Sequence, residues 1–251
     1  MNVIGIKTPL IKPEDDLVEV ILDSINNYKN LELKDEDILV LASSAVSTVE
    51  GRIRNIDAVN PSEKAKELAR ESDLDERLVE IIIHESDEIL HPFKDCILTI
   101  KDGMLRINAG VDRTNVPSGK ALLLPKNPKK SAAKLRRKIE AKTGKKLGVI
   151  ISDSHVNPLR RGTTGQAIGT SGIKESLDRR NERDLYGNVL QITFQGVGDQ
   201  LAAAAQLLMG EADESIPAVV IRGAKAAFSN KPERSLKIPP EKCVYSKFLD
   251  Y

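Results

Sequence analysis

The sequence has 251 residues, which is long enough to bury a full core in one large domain or in two closely joined lobes. Its 38 Lys and Arg against 37 Asp and Glu give a net charge of +1, which excludes a general attraction to nucleic acid or to an anionic membrane. No apolar run approaches the roughly 18 residues of a membrane span, and the two cysteines lack metal-ligand or redox spacing, so we expect a reduced, cytoplasmic protein.

The N-terminal part of the chain predicts two strands with a helix between them. Residues 2–6 form an apolar segment typical of a strand, and apolar residues from Leu17 to Tyr28 recur on one face of a helix that begins near Pro13. Residues 37–47 then predict a buried strand that ends in small hydroxyl residues.

The following segments predict two helices and a hairpin. Asn60 and Pro61 announce the first helix, and apolar residues from Leu78 to Ile89 mark the second. Two short apolar segments flank Asp102-Gly103, a dipeptide that suits the tight turn between antiparallel strands. The sequence therefore predicts a β-hairpin at this point.

The strongest charge cluster lies between Lys126 and Lys146, which contain ten Lys or Arg and one acidic residue, Glu140. We expect a helix that begins near Ser131 and ends at Gly144. Such a helix could bind nucleic acid through phosphate contacts, but few aromatic residues accompany the charges. A solvated helix face explains the cluster more simply.

Residues 148–173 pass from an apolar run through an acid and two arginines into a series of glycines. The β-branched run that ends at Ile151 predicts a buried strand, and Asp153 follows where we expect the strand to end. Arg160, Arg161 and the glycines suggest an anion site, because glycines let backbone amides approach a ligand and arginines match phosphate oxygens. The glycine spacing matches neither the dinucleotide fingerprint nor the Walker A loop, so an ordinary turn remains the alternative.

The C-terminal part predicts a half-buried strand over residues 189–195, a helix capped by Asp199, and a buried strand over residues 217–223. No repeat, low-complexity linker or clear domain boundary is visible in the sequence. Strands and helices alternate irregularly, which favours a mixed α/β chain of the α+β class, with one domain made of two closely joined lobes.

Two acidic residues stand out as candidate ligands of a hard cation. Asp112 follows a predicted strand, and Asp153 follows the buried run; Mg²⁺ or Mn²⁺ needs a few carboxylate oxygens and keeps positions open for substrate phosphates. Ser154 and Asn115 could add neutral contacts, whereas Asp112 taken alone is typical of a turn residue. His155 has no partner visible in the sequence, and no serine hydrolase elbow is present.

A set of segments spread over nearly the whole chain resembles the coenzyme F-420:L-glutamate ligase family. The segments, in order, are TPLIK, ASSAVSTVEGRI, NPSEKAKELA, NAGVDRTNV, KLRRKI, GVIISDS, RRGTTGQAIGTSGI, DLYG, LAAAAQLLMGEAD and IPAVVIRG. The resemblance implies that family's ligase fold and an enzyme that joins L-glutamate to the phospholactyl carboxylate of a deazaflavin coenzyme precursor, F-420-0. It implies GTP as a substrate, Mg²⁺ or Mn²⁺ as cofactors with K⁺ as an additional candidate ion, and an intertwined homodimer.

The same resemblance implies roles for individual residues. Asp112 and Asp153 would hold a first cation, Ser154 and Gln206 a second, and Arg160 would serve catalysis in the anionic pocket. The positions that match nucleotide contacts are Pro9, Leu10, Ile11, Lys12, Ser43, Ser44, Thr48, Asn115, Ala204, Ala205, Gln206, Leu207, Leu208, Met209, Gly210 and Glu211. The expected chemistry is phosphorylation of a carboxylate to an acyl phosphate, which the glutamate amine then attacks.

Two positions depart from the family's pattern. Its SKAEGR motif is STVEGR here, so Thr48 replaces a lysine expected to contact nucleotide phosphate, and its Gly-Arg pair after the metal-binding acid is Val156-Asn157. Each departure removes a positive charge. The alternative to the ligase is therefore a paralogue with the same fold that binds a phosphorylated ligand with weak or altered chemistry.

Overall fold

The computed structural model describes residues 1–28, 31–229 and 236–245. The chain forms two compact units: the first consists of Met1–Val49 and Asn127–Leu236, and the second of Glu50–Lys126 and the residues from Lys237 onward. Helices and strands are mixed along the chain, which confirms the predicted α+β class. The grouping of both units into one domain stays a prediction.

The strands are β1 (Asn2–Ile6), β2 (Ile38–Ala42), β3 (Ile53–Asn55), β4 (Glu88–Phe93), β5 (Cys96–Lys101), β6 (Met104–Ile107), β7 (Lys120–Leu122), β8 (Gly148–Val156), β9 (Thr163–Ser171), β10 (Leu177–Asp178), β11 (Phe194–Gln195) and β12 (Ala218–Arg222). The α-helices are α1 (Leu17–Asn26), α2 (Ser43–Val49), α3 (Glu63–Ser72), α4 (Glu76–Glu85), α5 (Pro128–Thr143) and α6 (Val197–Met209). Within the described residues, every helix is too short or too polar to cross a lipid bilayer.

The first unit is built on a five-stranded sheet in the order β1-β12-β2-β8-β9. The pair β2 and β8 is parallel, and the other neighbours are antiparallel. Alternate residues of the central strands bury opposite faces: Val149 and Ile151 pack with α1, α2 and α5, whereas Ile150 packs with α6. The sheet is therefore covered by helices on both faces, which explains the nearly continuous apolar runs of its inner strands.

Local hydrogen bonds set the ends of the helices and move several predicted boundaries. The side chain of Asp16 accepts a hydrogen bond of 3.0 Å from the Val18 amide, so α1 begins four residues after Pro13. Asn127 caps α5 in the same way, so this helix starts before the predicted Ser131. The helix ends at Gly144, which has φ of 70°, as predicted. These side-chain caps replace backbone partners that the first turn of a helix lacks.

Three predictions for the first unit are wrong. Residues 43–49 form α2 instead of prolonging the preceding strand. Residues 189–195 are mostly exposed, and only Phe194–Gln195 form a strand, because their alternating apolar side chains have no core to cover within this unit. Asp199 lies in the first turn of α6 and does not cap it; its Oδ1 accepts a hydrogen bond of 3.0 Å from the Ala167 amide in β9.

The second unit has its own core, formed by α3, α4 and two small sheets. The sheets are β4-β5-β6 and β3-β7, both antiparallel. The predicted hairpin is confirmed, since Lys101 pairs with Met104 and the turn residues Asp102 and Gly103 have φ of 53° and 68°. Ile89 belongs to β4 and not to the preceding helix, which ends at Glu85.

Candidate active site

Ser43 and Asp153, two candidate residues 110 positions apart in sequence, meet where the parallel strands β2 and β8 run side by side. Ala42, the last residue of β2, pairs with Ser152 of β8, so Ser43 and Asp153, which follow them, lie side by side. The Ser43 hydroxyl donates a hydrogen bond of 2.7 Å to Oδ1 of Asp153. The carboxyl ends of parallel strands are the positions where α/β proteins bind ligands.

Asp153 lies within β8, which continues to Val156 and does not end at Asp153 as predicted. Neighbouring residues of a strand point to opposite faces; Asp153 contacts Ser43, so Ser154 points toward α6. Gly165, which pairs with Ser154, lies directly against that helix, because a Cβ there would be 2.3 Å from the carbonyl oxygen of Ala202. The side chains of Asp153 and Ser154 therefore lie on opposite faces of the sheet. This arrangement suits ligands of two separate ions.

Gly165 and Gly169 belong to β9 and not to a phosphate-binding loop, whereas Gly162 and Gly172 flank the strand. Gly165 faces the backbone of α6, and a Cβ at Gly169 would lie 2.4 Å from the backbone carbon of Pro128 at the start of α5. Both positions need glycine because a helix approaches the strand closely. Close packing against the helices therefore explains both glycines, and a bound anion is not needed to explain them.

Arg160 lies in the turn between β8 and β9 and is exposed. Its amide donates to the carbonyl of Asn157 at 3.2 Å, and the Asn157 side chain donates to the Thr164 hydroxyl at 2.9 Å. His155 is half-buried in β8 and not in a loop. The turn therefore holds the Arg160 backbone in a defined position and leaves its guanidinium accessible to an anion.

The segment 204–211 comprises the last turns of α6 and the residue after its cap. Nε2 of Gln206 donates to the carbonyl of Gly210 at 3.0 Å and to Oε1 of Glu211 at 2.9 Å. The Thr163 hydroxyl at the start of β9 donates to the same carboxylate oxygen at 2.5 Å. Gln206 thus lies on the α6 side of the sheet, as Ser154 does.

The remaining nucleotide candidates of the first unit lie in the loop after β1 and in α2. The Lys12 amide donates to the Asp15 carboxylate at 2.7 Å, and the Leu10 side chain is 82% exposed. Ser44 begins α2 together with Ser43. Thr48 is half-buried in the last turn of α2, and its hydroxyl donates to the Ser44 carbonyl at 2.8 Å. That hydroxyl is therefore used within the helix.

Asp112 and Asn115 belong to the second unit and are exposed. The Asp112 carboxylate accepts hydrogen bonds from the Thr114 amide at 2.9 Å and from the Thr114 hydroxyl at 2.5 Å, an arrangement typical of a turn. Asn115 has φ of 51°. The turn role of Asp112 is confirmed, and its binding to a cation together with Asp153 stays a prediction. Within the described residues, no three His, Cys, Asp or Glu side chains form a metal-binding cluster.

Sequence reasoning missed Thr163 and Glu175. The Glu175 carboxylate is buried, and it accepts hydrogen bonds from the Thr170 hydroxyl at 2.6 Å and from the Leu236 amide at 3.0 Å. Thr163 lies within the RRGTTGQAIGTSGI segment, where nothing in the sequence singles it out, and Glu175 lies just beyond that segment. Only the contacts between distant segments could have identified them.

Comparison with known proteins decides the family. A family model described as F420-0:Gamma-glutamyl ligase matches residues 5–223. The chain belongs to the F420-0:gamma-glutamyl ligase family. The match includes every candidate site residue of both units.

Three relatives are each named coenzyme F420:L-glutamate ligase. The protein of Methanopyrus kandleri is 44% identical over 216 residues, which cover 86% of this chain and 83% of the relative. The protein of Methanocaldococcus jannaschii is 42% identical over 246 residues, covering 98% and 96%. The protein of Archaeoglobus fulgidus is 42% identical over 236 residues, covering 94% and 92%. The sequence motifs predicted a resemblance to the gamma-glutamyl ligase family, and this prediction is confirmed.

Proposed function

We propose that this gamma-glutamyl ligase family member attaches L-glutamate to the phospholactyl carboxylate of coenzyme F420-0 in a reaction that consumes GTP. The observation that carries this proposal is the family match across residues 5–223. The hydrogen bond between Ser43 and Asp153 supports a site at the carboxyl end of β2, beside β8.

The proposed reaction has two steps. A carboxylate oxygen of the coenzyme precursor attacks the γ-phosphorus of GTP, and the bond to the β-phosphate oxygen breaks, which gives an acyl phosphate and GDP. The amine nitrogen of L-glutamate then attacks the acyl carbon, phosphate leaves, and the nitrogen loses a proton as the amide forms. Neither step requires a nucleophilic side chain, so the protein's task is positioning and charge stabilisation.

The donor atoms of the chain fit a hard divalent cation. Such ions in phosphoryl-transfer sites are bound by one or two carboxylates together with substrate phosphates. We propose Asp153, whose carboxylate Ser43 orients, and Asp112 as ligands of a first Mg²⁺ or Mn²⁺, with Ser154 and Gln206 serving a second. Cations bound there would neutralise the charge of the phosphate chain; K⁺ is an additional candidate.

We propose that the nucleotide contacts Pro9 to Lys12, Ser43, Ser44, Thr48, Asn115 and residues 204–211. Arg160 would stabilise the transferring phosphoryl group, because a guanidinium donates two parallel hydrogen bonds to phosphate oxygens. Its exposed position in the β8–β9 turn supports this role. From the cysteine usage of the sequence we also propose a cytoplasmic location.

A homodimer is part of the proposal. Residues 178–195 are almost entirely exposed, and they carry five exposed large apolar side chains: Leu185, Tyr186, Val189, Ile192 and Phe194, which are 101%, 92%, 39%, 86% and 53% exposed. A run of exposed apolar side chains is typical of an interaction surface. We propose that this segment, called the arm below, packs against a second copy of the chain.

A paralogue with altered chemistry is the second candidate function. The observation that favours it is the Thr48 hydroxyl, which donates to the Ser44 carbonyl at 2.8 Å and supplies no positive charge. The Asn157 amide is likewise engaged with Thr164 at 2.9 Å. Such a protein would bind the phosphorylated ligand without efficient glutamyl transfer.

One incubation tests the proposed activity directly. The protein is mixed with GTP, Mn²⁺, L-glutamate and the unglutamylated coenzyme, and the products are analysed by mass spectrometry. A mass increase of one glutamyl unit with release of GDP supports the ligase. GTP binding without a glutamylated product favours the paralogue.

A further inference from the structure

The end of α6 is closed by a hydrogen-bonded group whose members come from two separate segments of the sequence. Its members are Gln206, Glu211 and Thr163, which we call the clasp. Gln206 and Thr163 both donate to Oε1 of Glu211, at 2.9 Å and 2.5 Å. The clasp therefore ties the end of α6 to the first residue of β9.

The backbone at Gly210 makes the clasp possible. Gly210 ends α6 with φ of 69°, and a Cβ there would lie 2.0 Å from the carboxyl carbon of Glu214. The Glu214 carboxylate lies at the end of a flexible side chain and could move, but a φ of 69° with a ψ of −164° favours glycine. With this conformation at Gly210, the carboxylate of the next residue, Glu211, lies within hydrogen-bond distance of the Gln206 side chain.

The clasp determines which way the Gln206 amide points. Its nitrogen donates to two acceptors, the Gly210 carbonyl and the Glu211 carboxylate, and neither could donate a hydrogen bond to an amide oxygen in that position. The amide oxygen is therefore directed away from both. An oxygen is the atom that a hard cation binds.

We propose that Glu211 and Thr163 are positioning residues that hold the Gln206 amide with its oxygen presented to the ligand. This inference rests on the proposed function for the identity of that ligand, a divalent cation bound with GTP. Glu211 binds Gln206 directly, and Thr163 acts through Glu211 by holding the carboxylate from the sheet. Hydrogen bonds from residues behind a metal ligand are a common means of orienting it, and their loss typically lowers metal affinity about 10- to 100-fold.

The test compares Thr163→Val, which removes the donor, with Thr163→Ser, which keeps it, and with Glu211→Ala. Thr143→Val is the matched control, because the Thr143 hydroxyl donates at 2.8 Å to the Ile139 carbonyl in α5, outside the clasp. Two quantities are measured: the side-chain amide NMR resonances of Gln206 in the protein without ligand, and Mn²⁺ affinity in the presence of GTP. The Gln206 resonances are assigned by their loss in Gln206→Leu.

We expect Thr163→Val and Glu211→Ala to shift the Gln206 amide resonances and to weaken Mn²⁺ binding about tenfold. Thr163→Ser should restore both quantities, and Thr143→Val should change neither. Unchanged Gln206 resonances in Thr163→Val and Glu211→Ala would overturn the positioning role. If the natural protein does not bind Mn²⁺ with GTP, the proposed function fails, and the resonances of the ligand-free protein still decide whether the clasp orients Gln206.

Discussion

The Ser43 hydroxyl donates to the Asp153 carboxylate at 2.7 Å, although 110 positions separate the two residues in sequence. One residue follows β2 and the other lies in β8, and the parallel register of these strands brings them together. The hydrogen bond joins a proposed nucleotide-binding residue, Ser43, to a proposed metal ligand, Asp153. Substitutions of this pair therefore test both roles.

We expect Asp153→Asn to abolish Mn²⁺-dependent GTP binding, because the amide lacks the negative charge of the carboxylate. Ser43→Ala should weaken binding roughly 10- to 150-fold, since a hydrogen bond to a charged group contributes about 1.5–3 kcal/mol. Titration calorimetry measures both affinities. Asp23→Asn, at an exposed position of α1, is the control. Full GTP affinity in Asp153→Asn would remove this residue from the metal site.

Thr48→Lys should tighten GTP binding roughly 10- to 150-fold, because it adds one charge-assisted hydrogen bond to phosphate. Asn27→Lys, just beyond α1, adds the same charge elsewhere and should have little effect. GTP affinity and glutamylated product are measured together. Tighter binding with product at lower GTP concentration indicates an active ligase, whereas tighter binding without product indicates a paralogue. No change in affinity would show that Thr48 does not face the phosphates.

The basic helix α5 offers two neighbouring lysines with different surroundings. Both side chains are exposed, but Nζ of Lys129 lies 3.7 Å from the buried carboxylate of Glu175. Lys129→Glu should destabilise the protein by about 1 kcal/mol, since the pair is partly screened by solvent. Lys130→Glu should change stability by less than about 0.5 kcal/mol. Urea unfolding measures both. We expect neither to alter GTP affinity; a large loss would place the anion site on α5.

The pKa of Glu85 predicts how stability depends on pH. Burial raises this pKa, but the hydrogen bond and charge of Lys101, together with those of Arg52, outweigh burial and hold it below 4.5. A carboxyl group whose pKa is lower in the folded state than in the unfolded state stabilises the fold at pH values above its unfolded-state pKa. This stabilisation is lost as the pH falls through the folded-state pKa.

We therefore expect Glu85→Gln to be less stable than the natural protein at pH 7, with a difference that shrinks as the pH falls below 4.5. Unfolding by urea at a series of pH values measures this difference. Glu14→Gln, at an exposed position, should leave the pH profile unchanged. If the difference in stability between the two proteins stays constant down to pH 3, the pH dependence of stability does not arise from Glu85.

The arm predicts the oligomeric state. Leu185→Glu combined with Ile192→Glu should convert a dimer to a monomer, because each change places a charge on an apolar contact surface. Gln191→Glu adds a charge in the arm without removing an apolar side chain and is the control. Sedimentation equilibrium gives the molecular mass. A natural protein that is already a monomer, or a double variant that remains a dimer, would show that the arm does not join two copies.

Much of the secondary structure could be predicted because apolar periodicity is a local property. The strands β1 and β12 and the helices α1 and α4 each show their pattern within a few residues. The prediction failed where apolar alternation had no core to cover, as at residues 189–195. It also missed α2, since small residues such as Ser43 to Ser47 favour neither strand nor helix strongly.

The sequence by itself determined the family, because motifs in a fixed order identify it without reference to contacts. It also determined the class of candidate ligands: carboxylates, hydroxyls and an arginine. Only the tertiary structure decided that Ser43 binds Asp153, that Ser154 faces α6, and that Thr163 holds Glu211 from 48 positions away. These contacts depend on strand order and register, and the same apolar periodicity is compatible with many arrangements of the same strands.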